Sequence, residues 1–249
     1  MKENGSPYKP SVRFWYLIYW AVARITKKPG KLQTKIARAG EISAWSRYLG
    51  REFGHENLAL YRDKDSLRQS LFDLVSTNDK VIVLELGVAF GKGSKWIIDR
   101  LSTKLLEFHG FDRFTGLPRA WRGLSIGHFS TNGIPPEIND PRVVWHVGNA
   151  EKTLKDFLQE RQSSFQTARS DFKFVVIFDL DILEPTLECY QLLKPLLLSG
   201  DLIHFDEAFD AENERVVMEI FLKDFEVEFV GYTSEAASFK ILRTKSPTI

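Results

Sequence analysis

Residues 80–94 read KVIVLELGVAFGKGS. Val81 to Leu86 form an apolar run broken only by Glu85, as a parallel strand buried on both faces would be. Asn78 and Asp79 supply a turn ahead of it, and from Lys92 to Leu101 the residues Trp96, Ile97 and Leu101 recur at helical spacing. Strand, glycine-rich turn and helix in that order predict the first unit of a parallel sheet. Outward from it, strands are expected at Leu106–Phe111, Val143–Val147, Phe174–Leu180 and Leu202–Phe205, with helices at Lys152–Gln162 and Thr186–Leu198. Two strand-like runs near the end, Val227–Tyr232 and Ser238–Arg243, are joined by a short loop and predict an antiparallel hairpin. The fold class that follows is α/β: a doubly wound, mostly parallel, Rossmann-like sheet closed by a C-terminal hairpin, with an N-terminal helical extension.

That division places the main domain at residues 80–249 and the tail and helical extension at residues 1–79. Met1 to Pro10 is polar, and glycines at 40, 50 and 54 predict short helices and turns between Pro29 and Arg68. Phe14 to Ile25 reads FWYLIYWAVARI, with Lys9 and Arg13 before it and TKKP after it. It falls short of the ~20 apolar residues of a spanning helix and lacks the small-residue cleavage site of a signal peptide. A helix packed on the domain or on a second subunit is the favoured reading. The alternative is an amphipathic helix on a membrane surface, with Trp15, Tyr16 and Trp20 at the interface.

The only cysteine, Cys189, excludes an intrachain disulfide and a cysteine-built zinc site, which fits a reducing, cytoplasmic compartment. A net charge of +1 offers no basic excess for a nucleic-acid backbone, so a small-molecule partner is expected.

The turn from Glu85 to Ser94 lies where doubly wound sheets bind ligands, beside the unpaired N–H groups of a helix start. A Walker phosphate loop is absent, because Lys92 is followed by Gly93. The dinucleotide fingerprint fails as well, since Trp96 stands where its third glycine belongs. A nicotinamide oxidoreductase is therefore the weaker reading. Glu85 ahead of the turn better matches a ligand with a positively charged amino-acid moiety, such as S-adenosylmethionine. The expected cofactor residues in this turn are Glu85, Gly87, Val88, Ala89, Phe90, Gly91 and Ser94. Asp112, followed by Arg113, ends the second strand, where a carboxylate accepts ribose hydroxyls. Asn149 follows the third strand, where an amide can read an adenine edge.

Asp179 ends the fourth strand, and Asp206 and Glu207 end the fifth. Neighbouring strand ends bring these carboxylates together, where they repel one another unless a cation is bound. Hard oxygen ligands at that density suit Mg2+ or Ca2+, and a metal-bound hydroxyl loses its proton more readily than a free alcohol. The expected metal ligands are therefore Asp179, Asp206 and Glu207. His109 and His204 fall inside strands and read as core histidines. His128 lies in the long loop Arg119–Pro141 and is a candidate to assist deprotonation, while Arg119, Trp121 and Arg122 could line an acceptor pocket.

Four stretches carry a family resemblance: ELGVAFGKGS, GFDRFTGLP from Gly110, FDLDILEPT from Phe178 and SGDLIHFDEAF from Ser199. Over roughly Glu85 to Glu214 the chain resembles the macrocin O-methyltransferase (TylF/MycF-like) group of class I S-adenosylmethionine-dependent methyltransferases. The resemblance implies Mg2+-assisted methylation of a hydroxyl on a sugar or glycosylated small molecule. It also implies that Asp179 is both metal ligand and general base, that Asp179 adjoins the cofactor, and that the chain forms a dimer or larger assembly. The family ends its fifth strand with two aspartates and a tyrosine, whereas this chain has Asp206-Glu207-Ala208. A non-catalytic module that binds the cofactor or a lipid surface is the alternative from a different functional class.

Overall fold

The computed structural model describes residues 31–246, so the expectations for Phe14–Ile25 lie outside the described residues. Among the described residues no helix is long and apolar enough to cross a membrane. The described chain divides into two compact units between Arg47 and Tyr48.

The helices are α1 (Lys31–Phe53), α2 (Lys64–Asp73), α3 (Lys92–Leu101), α4 (Ala150–Glu160), α5 (Gln162–Ala168), α6 (Leu183–Leu193) and α7 (Glu214–Asp224). The strands are β1 (Val81–Leu86), β2 (Leu105–Asp112), β3 (Val143–Val147), β4 (Lys173–Phe178), β5 (Leu202–Phe205), β6 (Phe225–Tyr232) and β7 (Ala237–Thr244). They form one sheet in the order β3-β2-β1-β4-β5-β7-β6. β1 to β5 run parallel, and β7 pairs antiparallel with both β5 and β6. The doubly wound sheet with a terminal hairpin is the architecture read from the sequence.

All six residues of β1 are buried, because helices cover both faces of the sheet. On one face Leu71 and Phe72 of α2 and Ile97, Ile98 and Leu101 of α3 pack with Val81, Val83, Val175 and Ile177. The alternate residues of β4 point the other way, with Phe174 edge-on to Phe165 of α5 and Phe178 stacked on Phe205 at 4.8 Å. The period of two along β4 thus divides its apolar side chains between two cores. His109 and His204 are both buried, as core histidines. His109 bridges His146 Nε2 (3.0 Å) and Glu107 Oε2 (2.8 Å).

Several boundaries differ from the sequence reading. The glycines at 40 and 50 do not break α1, which runs for 23 residues and stops before Gly54, whose φ of 82° cannot continue a helix. α2 begins where Asp63 accepts from Ser66 N–H (2.8 Å) and caps the first turn. β4 ends at Phe178 rather than Leu180, because the chain turns through Asp181 in a left-handed conformation (φ 63°). α6 starts at Leu183 and stops at Leu193, where Pro195 brings a short 3-10 turn. α7 and α5 were not anticipated.

Phe205 sits at the junction of the parallel strands and the hairpin, touching the rings of Phe178, Phe221 and Phe239. Phe205→Ala is expected to lower unfolding stability by ~3–5 kcal/mol. Denaturant unfolding checks this, and a loss below ~1 kcal/mol would contradict the packing described.

Candidate functional site

The strand order reverses between β1 and β4, so their connections leave on opposite sides and open a crevice at the carboxyl edge. Backbone pairing continues one step beyond the strands. Gly87 N–H donates to Phe111 O (2.9 Å), Asp179 N–H to Leu86 O (2.8 Å), and Asp206 N–H to Phe178 O (2.9 Å). These bonds bring the strand-end residues into one row. Above the row lies a cavity of about 470 Å³, lined by residues that follow all five parallel strands and by Lys64 of α2.

The glycine turn is shaped by close approach. Gly87 has φ 94°, and a Cβ there would lie 1.8 Å from the carbonyl oxygen of Asp179, so no other residue fits. Asp112 holds the turn in place: Oδ2 accepts from Val88 N–H and Ala89 N–H (both 2.8 Å), and Oδ1 accepts from Phe114 N–H (2.7 Å). Ala89, Phe114 and Asp181 all have positive φ, an uncommon state for residues with a Cβ that clusters at functional sites.

Of the residues expected to hold a cofactor, Gly87, Val88, Ala89, Asp112, Arg113, Asn149 and Asp179 line the cavity. Glu85, Phe90, Gly91 and Ser94 do not. Glu85 is buried beneath the turn and accepts a hydrogen bond from Ser94 Oγ, and burial raises its pKa to about 7. Its carboxyl group thus ties the end of β1 to the first turn of α3. Phe90 is 58% exposed, and Gly91 caps α3 in a left-handed conformation. Asn149 precedes α4 without capping it through its side chain.

His128 also falls outside the cavity lining. It is exposed, with its ring edge against Phe129, and its carbonyl accepts from Leu117 N–H (2.9 Å). The loop around it folds back on itself, with Thr131 N–H and Gly133 N–H both donating to Phe114 O. That places Trp121 and Phe129 on the cavity wall, where Trp121 Nε1 donates to Asp210 Oδ2 (3.2 Å). Arg119 instead forms a bidentate pair with Glu184 (3.0 and 2.7 Å), and Arg122 lies over the Phe209 ring.

The acidic cluster forms, but with cations already built in. Lys64 Nζ donates to Asp206 Oδ2 and to Glu207 Oε1 (2.9 Å), and pairs with Glu235 Oε2 (3.3 Å). Arg68, one helical turn further along α2, donates to Asp206 Oδ1. Burial works against the charge on Lys64, but Asp206, Glu207 and Asp179 outweigh it and hold the amine protonated. Asp206 is likewise buried, yet His204, Lys64 and Arg68 keep its carboxyl well below the usual range. Asp179 shifts the other way, raised by burial and by the charges of Asp206 and Asp181. Asp181 rises to about 8, through burial and the charges of Glu207 and Asp206.

Among the described residues no group of three or more His, Cys, Asp and Glu side chains has metal-site geometry. Asp179, Asp206 and Glu207 therefore do not fit the divalent ion expected of them. The reason is positional: both oxygens of Asp206 and one of Glu207 already accept from cationic side chains. Sequence reasoning also passed over Glu214, which is fully buried at the start of α7. Its Oε1 accepts from Leu180 N–H and Asp181 N–H, and its Oε2 from Glu207 N–H (2.8 Å), tying the loops after β4 and β5 together. The available signal for the cations was Asp63 as a helix cap, which puts Lys64 and Arg68 four apart on one face.

No protein-family model and no curated protein matches the chain. Among solved structures it is similar to CalS11, calicheamicin methyltransferase, at 16% identity and TM-score 0.52, over 96% of this chain and 98% of that one. It is also similar to the O-methyltransferase NovP, at 14% identity and TM-score 0.48, over 72% of this chain and 79% of that one. The likeness to CalS11 shows the fold, a mostly parallel Rossmann-like sheet with antiparallel C-terminal strands.

His204 lies behind the cluster, with Nδ1 against Ser238 Oγ (2.8 Å) and Nε2 between Arg68 Nε (3.4 Å) and Asp206 Oδ1 (3.2 Å). Burial lowers its pKa from 6.5 to about 4, so the native ring stays neutral where the unfolded one takes a proton. The stability it contributes is complete above pH 6.5 and is lost as pH falls toward about 4. The stability difference between wild type and His204→Gln is expected to shrink across that window, by up to roughly 3 kcal/mol. Denaturant unfolding at a series of pH values checks it; a constant difference refutes it.

Proposed function

We propose that this chain is a class I S-adenosylmethionine-dependent methyltransferase acting on a hydroxyl of a sugar or glycosylated small molecule. The observation that carries the reading is the convergence of the Gly87 turn, Asp112 and Asp179 on one cavity at the point where the strand order reverses. The resemblance to the macrocin group and the fold shared with CalS11 support it.

The residues present suit the cofactor's adenosine end. Asp112 keeps one lone pair, on Oδ1, beyond its three backbone bonds with which to accept a ribose hydroxyl, and Asn149 lines the same cavity with its side chain making no capping bond to α4. The bare backbone at Gly87 admits a ligand close to the strand end. S-adenosylmethionine, when bound, supplies an electrophilic methyl group. The protein's part is to hold the acceptor oxygen in line with it, which is a proximity effect, and to receive the hydroxyl proton.

Asp179 is the residue we assign as general base. Burial and the neighbouring carboxylates raise its proton affinity, which suits a base that must take a proton from an alcohol. Trp121 and Phe129 give the acceptor an apolar wall, and Glu188 gives it a carboxylate that can accept hydrogen bonds from its hydroxyls. A wall of that kind fits the faces of a sugar ring, with an acidic group for its edge.

Titration calorimetry with S-adenosylhomocysteine is expected to show binding that Asp112→Ala weakens by at least about tenfold. No heat on titration would sink the methyltransferase reading. With hydroxylated acceptors, Asp179→Asn is expected to lower kcat by about 100-fold or more while leaving S-adenosylhomocysteine affinity unchanged. Equal losses in both would make Asp179 a binding residue instead.

A further inference from the structure

The carboxylates that invite a divalent ion are already paired with side chains. Asp206 has both oxygens engaged, Oδ2 by Lys64 and Oδ1 by Arg68. Glu207 Oε1 lies 2.9 Å from the same ammonium, and Glu235 Oε2 approaches it at 3.3 Å from the β6–β7 turn. An ammonium has three N–H donors, and three carboxylates surround this one. Lys64 lines the cavity with a side chain 26% exposed, whereas Arg68 is held behind it at 8%.

We infer that Lys64 is the resident cation of this site, a tethered charge standing where Asp206 and Glu207 would otherwise require a divalent metal. The fold delivers it: Asp63 caps the helix one residue earlier, and Leu67, Leu71 and Phe72 anchor α2 in the core. Glu207, the departure from the family's aspartate, and Glu235 both reach the ammonium.

The substitution changes what the site can do. Mg2+ keeps waters that an incoming hydroxyl could replace, so it can both balance charge and ligate the acceptor. An ammonium that donates to Asp206 and Glu207 and pairs with Glu235 has no ligand position that an acceptor oxygen could take. Lys64 is therefore a positioning residue that sets the charge and shape of the acidic wall, and proton removal is left to the carboxylates. Its link to methyl transfer rests on the reading proposed above; its assignment as the cation rests on the side chains alone.

Mn2+ titration of the full chain, followed by electron paramagnetic resonance, tests this on wild type, Lys64→Arg and Lys64→Met. Wild type and Lys64→Arg are expected to leave the signal of the free ion unchanged, while Lys64→Met takes up stoichiometric Mn2+ through the carboxylates it leaves unbalanced. Stoichiometric uptake by wild type or by Lys64→Arg overturns the proposal, as does a folded Lys64→Met that binds none. Should Lys64→Met fail to fold, recovery of folding by Mn2+ supports the proposal, and without recovery the wild-type titration decides. S-adenosylhomocysteine binding, measured on the same wild-type sample, reports on the methyltransferase reading separately. Its absence refutes that reading and leaves the metal result standing.

Discussion

Asp206 leaves the sheet with its carboxylate buried, and a buried carboxylate must be paired or give up its charge. Lys64 and Arg68 meet that demand from one face of α2. The pairing explains why α2 packs against the sheet. α2 must dock where β5 ends, and its apolar residues fill the same core as Val81, Val83, Val175 and Ile177. It also explains the neutral state of His204, because a third positive charge behind Asp206 would add repulsion from Arg68 and Lys64 to the cost of burial.

Once Asp206 is held ionised, its neighbours sort themselves by environment. Asp206 lies well below the usual carboxylate range, whereas Asp179, Asp181 and Glu214 lie above theirs. Carboxylates gathered at one edge of the sheet are thereby given different work, the pattern that distinguishes a fixed charge from a proton acceptor. Glu214 serves a third purpose, joining the backbone of the β4 and β5 loops so that Asp179, Asp181 and Glu207 keep their places around the cavity. Asp112 does the same for the turn after β1. The carboxyl edge is thus shaped by side chain to backbone bonds, most of them from acidic residues.

The strands and their order of appearance were legible because the parallel sheet is buried on both faces, which turns each strand into an uninterrupted apolar run such as Val81–Leu84. α1 was misread because its glycines at 40 and 50 signal breaks only when nothing else holds the helix. Within the candidate site, strand-end position was enough to place Asp112, Asn149 and Asp179 at one edge of the sheet, and all three line the cavity. A residue's place in a motif does not say which side of the turn its carboxylate faces, and that of Glu85 meets Ser94 rather than the cavity. Loop membership likewise says nothing about orientation, and His128 lies outside the cavity lining.

The sequence by itself determined the α/β architecture, the glycine turn and the gathering of carboxylates at one edge, because all three follow from local periodicity and the rule that parallel strands end together. Only the tertiary structure decided what balances those carboxylates. Lys64 and Arg68 meet Asp206 across 142 and 138 residues of chain, and nothing local to either end records the contact. Charge compensation depends on distances through space. A cluster read from strand ends alone is left with an unmet charge, and here the packing of α2 meets it with a lysine and an arginine.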